Sequence, residues 1–185
     1  MTPDISFWQT AAAILQALGV PPNATSLKLL AAWSWCEKPH TPGGSWQWNN
    51  PLNTTEPGYG GVSVNSVGVK AYPTPAQGIA ATVATLTNGY YPTLVQALHT
   101  GNADLFFRAT QEMALWGTDM SCIAATYAAL PNPPANLLGT GAASVSPPAS
   151  LPAAPTPPGP NWLGWGLLVG GLGTLVGGFL WFRRP

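Results

Sequence analysis

Residues 33–55 have the sequence WSWCEKPHTPGGSWQWNNPLNTT, and they join the end of a predicted helix to a loop rich in glycine, proline and asparagine. Glu37 lies at the helix end, because proline disfavours a helical conformation at the residue before it and Lys38-Pro39 follows. An apolar setting disfavours the ionised form of a carboxyl group and raises its pKa. Four tryptophans supply such a setting in sequence: Trp33, Trp35, Trp46 and Trp48.

This pattern favours the cleavage of glycosidic bonds. Glycosidases use a carboxylic acid that stays protonated near neutral pH and protonates the leaving oxygen. The 185 residues include only six acidic ones, so a glutamate among tryptophans is unusual here, and Glu37 is the candidate general acid. Trp46 and Trp48 would stack on sugar rings, and asparagine and threonine would bond sugar hydroxyls. The alternative interpretation of Glu37 is a solvated residue in the last turn of a helix.

Composition limits the classes of partner. Charged residues make up 6% of the chain and the formal net charge is zero, so no basic surface is expected for nucleic acid. His40 and His99 are the only histidines, and we expect neither a metal nor another cofactor. Cys36 and Cys122 would either form a disulfide outside the cytoplasm or remain single buried thiols. The N-terminal sequence MTPDISFWQ has no basic residue and does not predict a signal peptide.

Hydrophobic periodicity and capping signals predict a mostly α, α+β domain over residues 1–130. Thr25 or Ser26 would cap the second helix, and Thr74-Pro75 is a strong start for a third, with Gln77 completing a capping box. This third helix is almost entirely small or apolar, so we expect it to be central and buried. The predicted helices span residues 5–18, 25–37, 75–87, 92–99, 102–115 and 121–130.

A small β-hairpin lobe is expected between the second and third helices. Its turn would lie at Asn65-Ser66, since these polar residues separate two short apolar patterns. The strand residues would be Val62, Val64, Val67 and Val69.

The C-terminal part differs in composition. Residues 131–160 hold ten prolines and predict an extended spacer. Residues 161–182 are apolar and long enough for a transmembrane helix, and the basic tail of Arg183 and Arg184 favours a cytoplasmic C-terminus. Small residues recur every four positions along this helix and suggest self-association. They are Gly166, Gly170, Thr174 and Gly178.

Four motifs together resemble the lysozyme-like glycosidases that cut peptidoglycan, over about residues 5–130. The nearest forms are lysozyme-like domains of phage tail proteins and actinobacterial enzymes, with a looser likeness to flagellar-type and autolysin glucosaminidases. The motifs are Glu37, Asn50-Pro-Leu-Asn53, Val69-Lys-Ala-Tyr72 and Gly78-Ile-Ala-Ala.

The resemblance implies a lysozyme-like fold with Glu37 as the general acid. It implies that Asn50, Asn53 and Thr54 line the sugar cleft and that Tyr72 faces the bound sugar, although a turn role for Asn50 and a core role for Tyr72 are alternatives. The second carboxylate of the glucosaminidases has no clear match in this sequence, and Glu56 is the candidate for it. Both hydrolysis and lytic transglycosylation therefore stay open.

The combined expectation is a peptidoglycan-cleaving enzyme associated with a phage virion or the host cell envelope. Its catalytic domain would lie outside a membrane that the C-terminal helix spans, and phage tail proteins are further possible partners. The rival interpretations are a non-catalytic lysozyme-like module that binds glycan or a tail protein, and a holin-like protein that damages membranes through its apolar helix.

Overall fold

The computed structural model describes residues 5–37 and 48–139, and this part of the chain is mostly helical with one small sheet, as predicted. Its elements in chain order are α1 (Ile5–Ala17), α2 (Ala24–Cys36), β1 (Val62–Ser63), β2 (Lys70–Ala71), α3 (Pro75–Leu86), α4 (Pro92–Thr100), α5 (Ala103–Arg108), α6 (Thr110–Trp116), α7 (Met120–Ala129) and a 3-10 turn (Ala135–Leu137).

Helix α2 is the central element of the fold. Its residues from Ser26 to Ser34 are almost all buried, and it packs against α1, α4, α5 and α7. Helix α3, which was predicted to be central, instead packs on α1 and buries one face. Small apolar residues such as those of α3 do not identify a central helix, because they also allow close approach at the edge of a core.

The start of α2 differs from the predicted caps. Asn23 is the N-cap, and its side-chain oxygen accepts a hydrogen bond from Ser26 N at 2.9 Å. Ser26 instead uses its hydroxyl to donate to the carbonyl oxygen of Leu98 at 2.6 Å, within the core. This bond ties the beginning of α2 to the end of α4.

Thr74 caps α3 as predicted. Its hydroxyl oxygen accepts from Gln77 N at 3.3 Å, and Pro75 occupies the first turn. The Gln77 side chain does not complete a capping box, since it accepts a hydrogen bond from the Thr74 hydroxyl at 2.8 Å.

The helix predicted over residues 102–115 is two helices. Asn102 caps α5 as expected, with its side chain accepting from Leu105 N at 2.9 Å. Ala109, with φ −77° and ψ 42°, ends α5 and precedes α6. Alanine is the strongest helix former, so nothing local in the sequence indicated this break.

The predicted hairpin is present but short. Val62 pairs with Ala71 and Ser63 with Lys70 in antiparallel register. The turn lies at Asn65-Ser66 as predicted, closed by a hydrogen bond from Gly68 N to Asn65 O at 3.2 Å.

A close contact joins α3 to the loop before the hairpin. A Cβ atom built on Gly78 would lie 1.6 Å from the carbonyl oxygen of Asn49. Asn49 Nδ2 donates to Tyr72 O at 2.8 Å, and Tyr72 N donates to Trp48 O at 2.8 Å. Glycine at position 78 therefore lets the loop backbone lie directly on the helix.

The folded domain continues past residue 130. The 3-10 turn packs on α1, and Gly139 N donates to Pro22 O at 2.8 Å. Residues 131–139, assigned to the spacer by composition, thus belong to the domain. No helix within residues 5–37 and 48–139 is long and apolar enough to cross a membrane. The rest of the spacer, the predicted membrane helix 161–182 and its small-residue face lie outside the described residues.

Candidate active site

Glu37 lies at the C-terminal cap of α2, as the sequence predicted. Its backbone N donates to Trp33 O at 3.1 Å, so the last helical hydrogen bond fixes its main chain. The central, buried position of α2 carries this carboxyl group to the edge of the core. The side chain is half-buried.

Three side chains donate hydrogen bonds to the Glu37 carboxyl group. The Thr118 hydroxyl donates to Oε1, and Trp33 Nε1 donates to the same oxygen at 3.2 Å. Asn53 Nδ2 donates to Oε2 at 2.7 Å and to the backbone oxygen of Glu37 at 3.0 Å. Trp33 Nε1 also lies 3.3 Å from Thr118 Oγ1, so these groups form one network.

Burial raises the pKa of the Glu37 carboxyl above its ordinary value of 4.5. Hydrogen bonds from Thr118, Asn53 and Trp33 act in the opposite direction, because they favour the ionised form, but burial dominates. The group is therefore protonated at a higher pH than an exposed glutamate. It is also held in a defined orientation by its donors.

An aromatic cluster covers one side of this carboxyl group. Trp33 and Trp116 meet edge to face with ring centroids 4.8 Å apart, and Tyr91 contacts Trp116 at 5.1 Å. Trp116 Nε1 donates to Leu52 O at 3.0 Å, which connects α6 to the asparagine-rich turn. These rings are part of the packing around the carboxyl group, and burial of that group raises its pKa.

Asn50 and Thr54 have structural roles in this turn. Asn50 is fully buried, and its side chain bonds Thr54 N, Thr54 O and Lys70 O at 2.8–2.9 Å. Thr54 is 2% exposed, and its hydroxyl contacts that of Thr85. The prediction that both line a sugar cleft is not supported by their burial. Their hydrogen bonds shape the turn that presents Asn53 to Glu37.

Tyr72 is a core residue, which was the alternative interpretation. Its side chain is 3% exposed, and its hydroxyl donates to Glu56 O at 3.0 Å. Burial raises the pKa of Tyr72, and the nearby charge of Glu56 adds to this. A ring with so little exposed surface cannot face a bound sugar in this conformation.

Glu56 is half-buried in the β lobe, and burial raises its pKa. Its backbone N contacts Thr54 Oγ1 at 3.2 Å, and in the described part of the chain no hydrogen bond joins it to Glu37.

Trp48 is half-buried, while Trp46 lies outside the described residues. No group of three His, Cys, Asp and Glu side chains in residues 5–37 and 48–139 could hold a metal ion.

Sequence reasoning missed Thr118 as a site residue. It is 81 positions from Glu37, and it follows Gly117, whose φ of 95° ends α6. A glycine of this kind lets the sequence predict where the helix ends. The residue that Thr118 contacts depends on tertiary packing, which the sequence does not show.

Cys36 and Cys122 form a disulfide, the first of the two alternatives that the sequence left open. Their Cα atoms are 6.0 Å apart, and they are separated by 86 positions in sequence. The bond joins the end of α2 to the first turn of α7.

Comparison with known proteins gives no match: no protein-family model fits the sequence, and neither a curated protein nor a solved structure is similar to it. The resemblance to lysozyme-like glycosidases therefore depends on the motifs themselves.

Proposed function

We propose that this chain is a glycosidase that cleaves the glycan strands of peptidoglycan, with Glu37 as the general acid. The observation that supports the proposal most strongly is the burial, orientation and raised pKa of this carboxyl group. It is half-buried beside Trp33 and Trp116, is oriented by Asn53 and Thr118, and has a pKa above the ordinary value. A glycosidase needs an oriented acid that is protonated at working pH.

In this mechanism Glu37 donates its proton to the glycosidic oxygen as the bond to the sugar carbon breaks. The carboxylate that results is stabilised by the donors already bonded to it, from Asn53, Thr118 and Trp33. The same carboxylate then accepts a proton from the attacking group, which restores the acid. These donors need not move during the reaction, so the site is preorganised for the charged product state.

The attacking group distinguishes two reactions. Hydrolysis needs a water activated by a carboxylate, and Glu56 is the described candidate in the β lobe. Lytic transglycosylation needs none, because the 6-hydroxyl of the muramyl sugar attacks instead. The two reactions differ in the sugar end that they leave on the product, so the products of digestion distinguish them.

The setting of this activity rests on sequence alone. A spacer ending in a membrane helix with a cytoplasmic C-terminus would hold the catalytic domain near the cell wall, and delivery by a phage virion would bring it there. These parts of the proposal concern residues outside the described chain.

The test is digestion of purified peptidoglycan by the folded protein and by Glu37→Gln. Glutamine keeps the shape but cannot donate the proton, so turnover should fall on the order of 100-fold or more. Asp104→Asn, the same change at an exposed helix position, should leave turnover unchanged. Mass spectrometry of the products then identifies the reaction, through an anhydro-muramyl, reducing muramyl or reducing glucosaminyl end. Binding without turnover by the wild type would favour the non-catalytic module instead.

A further inference from the structure

We propose that the Cys36–Cys122 disulfide is a positioning device for Glu37: it holds the helix end that carries Glu37 against the segment that carries Thr118, so reduction uncouples this pair. The expected effect on turnover rests on the proposed function. The contact between the side chains of Thr118 and Glu37, which we call their coupling, does not.

The geometry places the disulfide directly beside the site. Cys36 is the residue before Glu37, and Cys122 lies four residues after Thr118. The disulfide therefore joins the same two chain segments that meet through the hydrogen bond from the Thr118 hydroxyl to Glu37 Oε1. Cys36 Sγ also lies 3.5 Å from Thr126 Oγ1, which continues the contact between α2 and α7.

Both partners of this hydrogen bond lie at helix ends. Glu37 caps α2, where the last carbonyl groups have no partner within the helix. Thr118 lies between Gly117, which ends α6 with a left-handed conformation, and Asp119, which caps α7. Helix ends open more readily than helix centres, so a covalent link next to both residues restrains the part of the site that is otherwise freest to separate.

Other contacts of Glu37 do not depend on the disulfide in this way. Trp33 is on the same helix as Glu37 and moves with it, and Asn53 bonds both the carboxyl group and the backbone of Glu37. Loss of the disulfide should therefore affect the Thr118 contact first. The predicted change is local, and the domain stays folded.

Reduction would proceed by ordinary thiol–disulfide exchange. A dithiol such as dithiothreitol attacks one sulfur as the thiolate and forms a mixed disulfide, and its second thiol releases the protein thiol. The protein gains two electrons and two protons, and the dithiol becomes a cyclic disulfide. A reducing cytoplasm would hold the chain in the uncoupled form, and an oxidising compartment would convert it to the coupled form.

The test is a measurement of the pKa of Glu37 by carboxyl-carbon NMR, made on the intact chain under oxidised and under reduced conditions. The groups that donate to this carboxyl are neutral, and the nearest titrating neighbour on the Thr118 segment is Asp119, whose carboxylate bonds Ser121. Lys38 and His40 follow Glu37 in sequence, so His40→Gln serves as the background for all samples and removes the imidazole nearest to Glu37 in the chain.

We expect reduction to raise the pKa of Glu37, because the Thr118 hydroxyl no longer favours the ionised form. Thr118→Val should raise it similarly in the oxidised protein, and Thr118→Ser should restore the oxidised value. Reduction of Thr118→Val should add no further shift. Turnover of peptidoglycan should fall about tenfold or more on reduction, as the acid loses its orientation.

Three results would overturn the proposal. The first is an unchanged or lowered pKa of Glu37 in reduced, folded protein, and the second is that reduction and Thr118→Val shift this pKa additively. The third is that the reduced protein is unfolded when measured by circular dichroism, which would mean that the disulfide stabilises the whole domain. Cys36→Ser/Cys122→Ser provides the same comparison without a reductant. If reduction raises the pKa of Glu37 but the oxidised protein does not cut peptidoglycan, the coupling of Thr118 to Glu37 is supported and the proposed glycosidase function is refuted.

Discussion

Asn53 Nδ2 lies 2.7 Å from Glu37 Oε2 and 3.0 Å from the backbone oxygen of the same residue. One side-chain amide thus fixes both the carboxyl group and the helix end that carries it. Asn53 has a φ of 54°, a left-handed conformation that asparagine and glycine adopt more readily than other residues. The turn therefore needs this residue type for its backbone, and the site needs it for its donor.

Asn53→Gly separates these two roles, because glycine keeps the backbone conformation and removes the amide. We expect the pKa of Glu37 to rise and turnover to fall about tenfold, since a donor that favours the ionised form is lost. NMR titration of the Glu37 carboxyl measures the first effect. Tyr59→Gly is the matched control, because Tyr59 also has a positive φ, of 49°, and is not one of the three residues that donate to the Glu37 carboxyl group. Equal pKa values in wild type and Asn53→Gly would contradict the assigned contact.

The raised pKa of Glu37 also predicts how stability depends on pH. The folded state favours the protonated carboxyl, so its contribution is fully present below the ordinary pKa of 4.5 and is lost as pH rises through the folded-state pKa. Compared with Glu37→Gln, the wild type should therefore lose free energy of unfolding between pH 4 and the raised pKa. Urea unfolding of both proteins across this range measures the difference, and identical pH dependence would refute the shift.

Gly78→Ala should be strongly destabilising, since the added Cβ would lie 1.6 Å from Asn49 O. Backbone cannot rotate away as a side chain can, so we expect a loss of about 3 kcal/mol or more in the free energy of unfolding. Ala76→Gly makes the reverse exchange at an exposed position of α3 and should cost about 1 kcal/mol. Thermal unfolding compares the two, and a Gly78→Ala protein as stable as Ala76→Gly would show that the loop does not lie on α3.

Glu112 should stabilise the start of α4 from a distant part of the chain. Its two carboxylate oxygens accept from Thr93 N at 3.0 Å and Leu94 N at 2.9 Å, and α4 has no side-chain cap of its own. Glu112→Ala should cost roughly 1–2 kcal/mol in the free energy of unfolding, as for loss of a helix cap. Gln111→Ala, the exposed neighbour, is the control. Faster amide exchange at Thr93 and Leu94 in Glu112→Ala alone would locate the effect.

Local signals in the sequence predicted much of the fold. The Thr74-Pro75 start, the Asn102 cap, the hairpin turn and the helix end at Glu37 each depend on neighbouring residues, whose chemistry is visible in the chain. The break at Ala109 was missed because tertiary packing overrides the helical propensity of alanine.

The candidate site was predicted only in part for the same reason. Glu37 was found from its own neighbourhood, but Thr118 reaches it from 81 positions away. Asn50 and Tyr72 have polar groups suited to sugars, yet those groups bond the protein's own backbone. A sequence shows which side chains can bond a ligand and does not show which are already satisfied by the fold.

The measurement that tests Glu37 as the general acid most directly is the pH dependence of kcat/KM for peptidoglycan cleavage, set against the pKa of Glu37 from NMR titration of the same protein. If Glu37 donates the proton, kcat/KM should decrease with rising pH with an apparent pKa equal to the titrated value. Asn53→Gly should move both values upward together. A rate independent of pH between about 5 and 9, or a decrease at a pH unrelated to the titration of Glu37, would contradict its role as the acid.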